Sequence, residues 1–116
     1  MDGTLTPSRR PMTENFELFF SSWAKRNLFF LVSGSNLEKI MEQVPKYIMD
    51  YSKGVFTCGG NQLWISDKLI YDHKFPPPQD LIDFLEEKLS LSKYPKRTGN
   101  HIEDRGSMLN FSIVGR

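Results

Sequence analysis

An α/β fold is the expectation from three features of this 116-residue sequence. Segments with helical spacing alternate with short apolar segments of strand length as far as Lys74. One of these, Leu28-Phe29-Phe30-Leu31-Val32, is continuously apolar, the pattern of a strand buried on both faces of a parallel sheet. Two polar, glycine-containing turns, Asp2-Gly3-Thr4 and Ser33-Gly34-Ser35, suit the strand-to-helix junctions that such a sheet needs.

Taken in order, the first helix is expected from about Thr13 to Arg26. Thr13 offers an N-cap, Phe16, Phe19, Phe20 and Trp23 form an apolar face expected in the core, and Asn27 closes the helix. The Leu28–Val32 strand ends abruptly at Ser33-Gly34-Ser35-Asn36. A second helix, from about Leu37 to Tyr47, carries Leu37, Ile40, Met41 and Val44 on one face, with Pro45 bending its end. Val55-Phe56-Thr57-Cys58 reads as a short strand leading into Gly59-Gly60. Leu63-Trp64-Ile65 and Leu69-Ile70-Tyr71 flank Ser66-Asp67-Lys68 as a β-hairpin. Phe75-Pro76-Pro77-Pro78 is the strongest break. Helical spacing returns from Asp80 to Leu91 through Leu81, Ile82, Leu85 and Leu89. Two strand-like pieces follow, His101-Ile102-Glu103 and Met108 to Val114. Residues 1–75 are therefore expected to form one part and residues 76–116 a second, small α+β part.

Hydrophobic residues at 39% and charged residues at 25% are globular values. Lys+Arg 15 against Asp+Glu 14 leaves a net charge of +1 and no footprint for nucleic acid or an acidic membrane. The single cysteine, Cys58, excludes an internal disulfide and suits a reducing compartment. No apolar run approaches a membrane span, and the acidic N-terminus does not resemble a signal peptide. The expectation is a soluble, cytoplasmic domain. His73 and His101 have no partner at metal-ligand spacing and read as surface or packing residues.

The two polar turns carry the chemistry. In a doubly wound sheet, ligands collect at the carboxyl ends of the parallel strands, where both turns would lie. Backbone N–H groups, hydroxyls and a helix N-terminus converging there suit a phosphate. Alone, Asp-Gly-Thr is a common turn, and Ser33 and Ser35 are equally readable as a helix cap pair.

The order of motifs narrows this reading. Asp2-Gly3-Thr4-Leu5-Thr6 resembles the second half of the Asp-x-Asp-Gly-Thr signature of the haloacid-dehalogenase-like (HAD) phosphotransferases, and the Ser33-Gly34 strand end resembles their second motif. Leu5-Thr6-Pro7-Ser8-Arg9, Ser35-Asn36-Leu37-Glu38-Lys39-Ile40-Met41-Glu42-Gln43 and the tail Glu103 to Arg116 resemble blocks of the eukaryotic-type phosphomannomutases. The agreement runs in order along nearly the whole chain.

This resemblance implies an incomplete HAD-like Rossmannoid core with the beginning of an α+β cap domain. It implies transfer of phosphate between the 6- and 1-positions of mannose through an aspartyl phosphate, serving GDP-mannose supply. Mg²⁺ is the implied cofactor, with a hexose phosphate as substrate and a hexose bisphosphate as activator. Asp2 matches the general acid/base, and its backbone carbonyl matches a Mg²⁺ ligand. Gly3, Ser33, Gly34 and Ser35 match the phosphate-binding positions. Arg9 matches a core arginine that meets the substrate, and Arg105 and Arg116 match cap arginines that grip the distal phosphate. A homodimer through the cap is also implied for the intact protein.

The nucleophilic carboxylate of the signature would stand immediately before Met1. The resemblance covers roughly half of such an enzyme, so the 116 residues alone are expected to be inactive. Ser33, Cys58-Gly59-Gly60, Asp104, Gly106-Ser107 and Ile113 depart from the mutase pattern. A HAD sugar phosphatase and a degenerate, non-catalytic HAD fragment are the alternative readings.

Overall fold

Parallel pairing of two short strands begins the architecture of the first unit. In the computed structural model, residues 1–115 are described, and the chain divides into two units, Met1–Asp72 and His73–Arg116. The division falls just before the proline break. The first unit holds helix α1 (Glu14–Ala24), strand β1 (Leu31–Val32), helices α2 (Leu37–Gln43) and α3 (Lys46–Tyr51), and strands β2 (Val55–Thr57), β3 (Gln62–Ile65) and β4 (Lys68–Asp72). The sheet order is β1-β2-β3-β4. β1 and β2 are parallel, with Leu31 opposite Val55, and the other pairings are antiparallel. This is a mixed α/β fold whose sheet contains a parallel pair.

Thr13 stands extended at the start of α1 but its side chain makes no capping bond. Glu14 and Glu17 instead place negative charge in the first turn, where the helix dipole favours it. At the far end, the Asn27 carboxamide donates to the Trp23 carbonyl at 2.8 Å, satisfying an orphan acceptor. Phe16 and Phe20 pack against the core, and Phe20 meets Phe29 edge-on with centroids 5.4 Å apart. Phe19, however, is 62% exposed. A helical period turns it about 60° away from Phe16, onto the flank of the stripe. The aromatic face is thus part core and part surface.

The apolar run around β1 also departs from expectation. Phe29 and Leu31 are buried, whereas Leu28, Phe30 and Val32 are exposed. The alternation has the period of two that a strand covered on one face requires. Phe29, Leu31 and Val55 face a core built with Ala24, Ile40, Val44, Ile48 and Met49 from α1, α2, α3 and their flanks. Phe30 and Phe56 meet on the other face, with centroids 5.9 Å apart.

Pro45 divides what spacing alone presents as one helix. Val44, ahead of the proline, is forced to extended values (φ −122°, ψ 124°), and α2 stops there. Pro45 then stands at the cap position from which α3 starts, its carbonyl accepting from Ile48 at 3.0 Å. The break keeps Ile40, Val44 and Ile48 all essentially fully buried. Each such aliphatic side chain contributes roughly 1.5–3 kcal/mol by leaving water.

The β3–β4 connection is the two-residue turn Ser66-Asp67. Both residues have positive φ, 48° and 64°, the sign pattern of the type I′ hairpin.

In the second unit, helix α4 (Gln79–Leu91) begins directly after the prolines, and β5 (Ile102–Asp104) pairs antiparallel with β6 (Leu109–Phe111). Leu81, Ile82, Leu85 and Leu89 are the half-buried side of α4, as their spacing predicts. Arg97 donates to the carbonyls of Leu89, Ser92 and Ile113, tying the end of α4 to the chain beyond β6.

Candidate functional site

The first six residues curl into a tight loop. The Met1 carbonyl accepts from the N–H groups of Thr4, Leu5 and Thr6, while the Gly3 N–H donates to the Thr6 carbonyl at 2.8 Å. Gly3 has φ +71°, so a side chain there would be strained although no atom would obstruct it. The Met1 ammonium donates to the Val32 carbonyl at 3.4 Å. Asp2 and Gly3 are thereby placed at the carboxyl end of β1, beside the turn that begins at Ser33.

That turn is held from within and from β2. The Ser33 hydroxyl accepts from the Ser35 N–H at 3.1 Å, and the Ser33 N–H donates to Phe56 at 2.9 Å. Asn36, not a serine, caps α2, its side chain accepting from the Lys39 N–H at 3.2 Å. From the end of β2, Cys58 N–H donates to Ser35 C=O and Gly59 N–H to Ser33 C=O, each at 3.0 Å. Cys58, Gly59 and Gly60 form a 3-10 turn in which all three residues have positive φ. Cys58 is fully buried.

Asp2 is exposed, and its Oδ1 accepts from Gln43 Nε2 at 2.9 Å. Gln43 is a residue that sequence reading missed. Its signal was a polar side chain three positions from Ile40 on the apolar face of α2. Beside this loop, a shallow depression of about 330 Å³ is lined by Gly3, Thr4, Leu5, Thr6, Thr13 and Phe16. The Thr6 hydroxyl is buried without a hydrogen-bond partner among the described residues. Arg9 is exposed, with φ 56°, and makes no ion pair among the described residues.

In the second unit, the Arg105 side chain is only 4% exposed, and its guanidinium donates to Glu103 through Nε at 3.1 Å and Nη2 at 2.5 Å. Arg116 lies outside the described residues. His101 takes a packing role, its Nδ1 donating to the Ser112 carbonyl at 3.0 Å. Among the described residues no three His, Cys, Asp or Glu side chains gather as a metal cluster, and no helix is long and apolar enough to cross a membrane.

A second depression, about 320 Å³, opens at the amino end of β2, against the hairpin turn. There Lys46 bridges Asp67 at 2.7 Å and Asp50 at 3.0 Å. These hydrogen bonds, first to Asp67 and then to Asp50, raise the ammonium above its ordinary pKa.

An α/β sheet with polar turns near the carboxyl end of a parallel strand is the setting in which folds of this class bind their ligands. The model of the eukaryotic phosphomannomutase family matches residues 16–116, and the chain belongs to that family. Among its relatives, phosphomannomutase 1 of Mus musculus is 32% identical, the match covering all of this chain and 47% of the relative. A probable phosphomannomutase of Caenorhabditis elegans is 31% identical and is covered over 50% of its length. The phosphomannomutase of Saccharomyces cerevisiae is 29% identical with 48% covered. The chain therefore spans about half the length of these relatives.

Proposed function

We propose that this chain contributes part of a HAD-type phosphotransfer site and that the intact protein interconverts mannose 6-phosphate and mannose 1-phosphate, in the cytoplasm, for GDP-mannose supply. The observation that carries this reading is the bond from Met1 to the Val32 carbonyl, which sets the loop bearing Asp2 and Gly3 at the strand end that leads into Ser33–Ser35, in a chain of this family.

In this mechanism a carboxylate preceding Asp2 by two positions attacks the phosphorus of a hexose bisphosphate and forms an aspartyl phosphate. The P–O bond to the sugar breaks, and Asp2 gives its proton to the departing sugar oxygen. In the reverse step, a hydroxyl of the bound hexose monophosphate gives its proton to Asp2 and takes the phosphoryl group. Gly3, Ser33, Gly34 and Ser35 would surround the transferring group with N–H donors and hydroxyls. Arg9, Arg105 and Arg116 would hold the rest of the substrate, with the second phosphate competing with Glu103 for Arg105.

The described residues do not by themselves complete a Mg²⁺ site, since no three His, Cys, Asp or Glu side chains gather among them.

A chimera tests the reading: this chain joined to the flanking segments of mouse phosphomannomutase 1. Interconversion of the two sugar phosphates is expected, falling by about 10²–10⁴-fold in kcat with Asp2→Asn. A folded chimera that keeps its rate with Asp2→Asn, or that only releases free phosphate, would refute it.

A further inference from the structure

We propose that Gln43 is a positioning residue for Asp2, its buried carboxamide fixing the orientation of the Asp2 carboxylate. Gln43 is 7% exposed, on the core-facing side of α2 near Ile40 and Val44, where a polar group is costly unless paired. Its Nε2 donates to Asp2 across a separation of 41 residues, at 2.9 Å. Its backbone carbonyl accepts from the Met12 N–H, also at 2.9 Å. The Gln43 backbone is thus held both by α2 and by the segment entering α1, while Asp2 belongs to an exposed loop. The helix-borne partner sets the orientation of the loop-borne one.

A neutral amide suits this task. A lysine or arginine in its place would add a full opposite charge and hold the carboxylate ionised too strongly for proton exchange. An amide supplies direction with a smaller electrostatic bias. The significance for chemistry rests on the reading of Asp2 as the acid/base, but the contact can be tested independently of it.

The test is NMR on the 116-residue chain at one near-neutral pH, following the Asp2 carboxyl carbon. Gln43→Met removes the donor at 2.9 Å and is expected to displace that carbon signal.

The reciprocal variant guards against a failure of the Gln43→Met chain to fold. Asp2→Asn, in the exposed loop, is expected to displace the side-chain amide signals of Gln43 while those of Gln62 and Gln79 stay in place. Unmoved Gln43 signals, or a Gln43→Met chain whose Asp2 carboxyl carbon signal is unchanged, overturn the proposal. A chimera that keeps its rate with Asp2→Asn would instead remove only the acid/base reading.

Discussion

Thr57 is the centre of a buried polar network whose contribution can be isolated with two substitutions. Its side chain is fully buried at the end of β2. The hydroxyl donates to Gln62 Oε1 at 2.7 Å and accepts from Trp64 Nε1 at 3.2 Å. Cys58 Sγ approaches the same Gln62 oxygen at 3.7 Å. Thr57→Val removes both hydroxyl bonds and changes the shape little. At about 1 kcal/mol per bond, with a further penalty for an indole N–H left buried, the loss is about 2–3 kcal/mol. The added methyl returns about 0.8 kcal/mol, for a net cost of about 1–2 kcal/mol. Thr57→Ser keeps the bonds and removes one buried methyl, costing about 1 kcal/mol.

Urea unfolding followed by tryptophan emission reads this directly, because both tryptophans, Trp23 and Trp64, lie in the first unit. Thr57→Val is expected to unfold at lower urea than Thr57→Ser. The indole N–H of Trp64 should shift only in the valine variant. Since Cys58 follows Thr57 and holds Ser35, faster amide exchange at Cys58 and Gly59 is expected as well. A valine variant as stable as the serine variant, with the Trp64 indole signal unmoved, would refute the network.

Two further predictions concern other parts of the chain. Tyr47 donates its phenol proton to Glu17 at 2.6 Å, and that hydrogen bond raises its pKa above 10.0. Protons are then held more tightly in the folded state, so this stability is present below about pH 10 and is lost as pH rises through the folded value. Tyr47→Phe should flatten the alkaline fall in thermal midpoint, and an unchanged profile would refute the assignment. In the second unit Gly115 has φ +91°, and a Cβ there would overlap the Thr98 carbonyl. Gly115→Ala should break the Thr98 N–H bond to Val114 and speed exchange of the Thr98 amide, while Gly106→Ala, also at positive φ but with nothing nearer than 3.8 Å, should leave it protected.

What could be read from the chain was whatever a short window of residues decides. The Ser66-Asp67 hairpin, the stop before the prolines and the half-buried side of α4 all depend on neighbours within a few positions, so spacing and turn chemistry were enough. Pro45 was also visible, but its effect was underestimated. A proline that bends one helix and one that caps the next look alike until the extended Val44 is seen. The burial of Leu28–Val32 depends on which elements cover the sheet, and three helices here cover one face. An unbroken apolar run cannot distinguish that from cover on both faces.

The candidate site divides in the same way. Its residue types were recognisable as motifs, whereas its cohesion comes from bonds between distant segments. Gln43 reaches Asp2, and Cys58 with Gly59 grips the Ser33–Ser35 turn, through contacts that no local pattern encodes. The latter two bonds use backbone N–H groups, so they do not themselves depend on the side chain at position 58. Cys58 stands at φ 51°, in a conformation that costs a non-glycine residue on the order of 1 kcal/mol. The departure of Cys58-Gly59-Gly60 from the mutase pattern is therefore compatible with an intact grip on the turn.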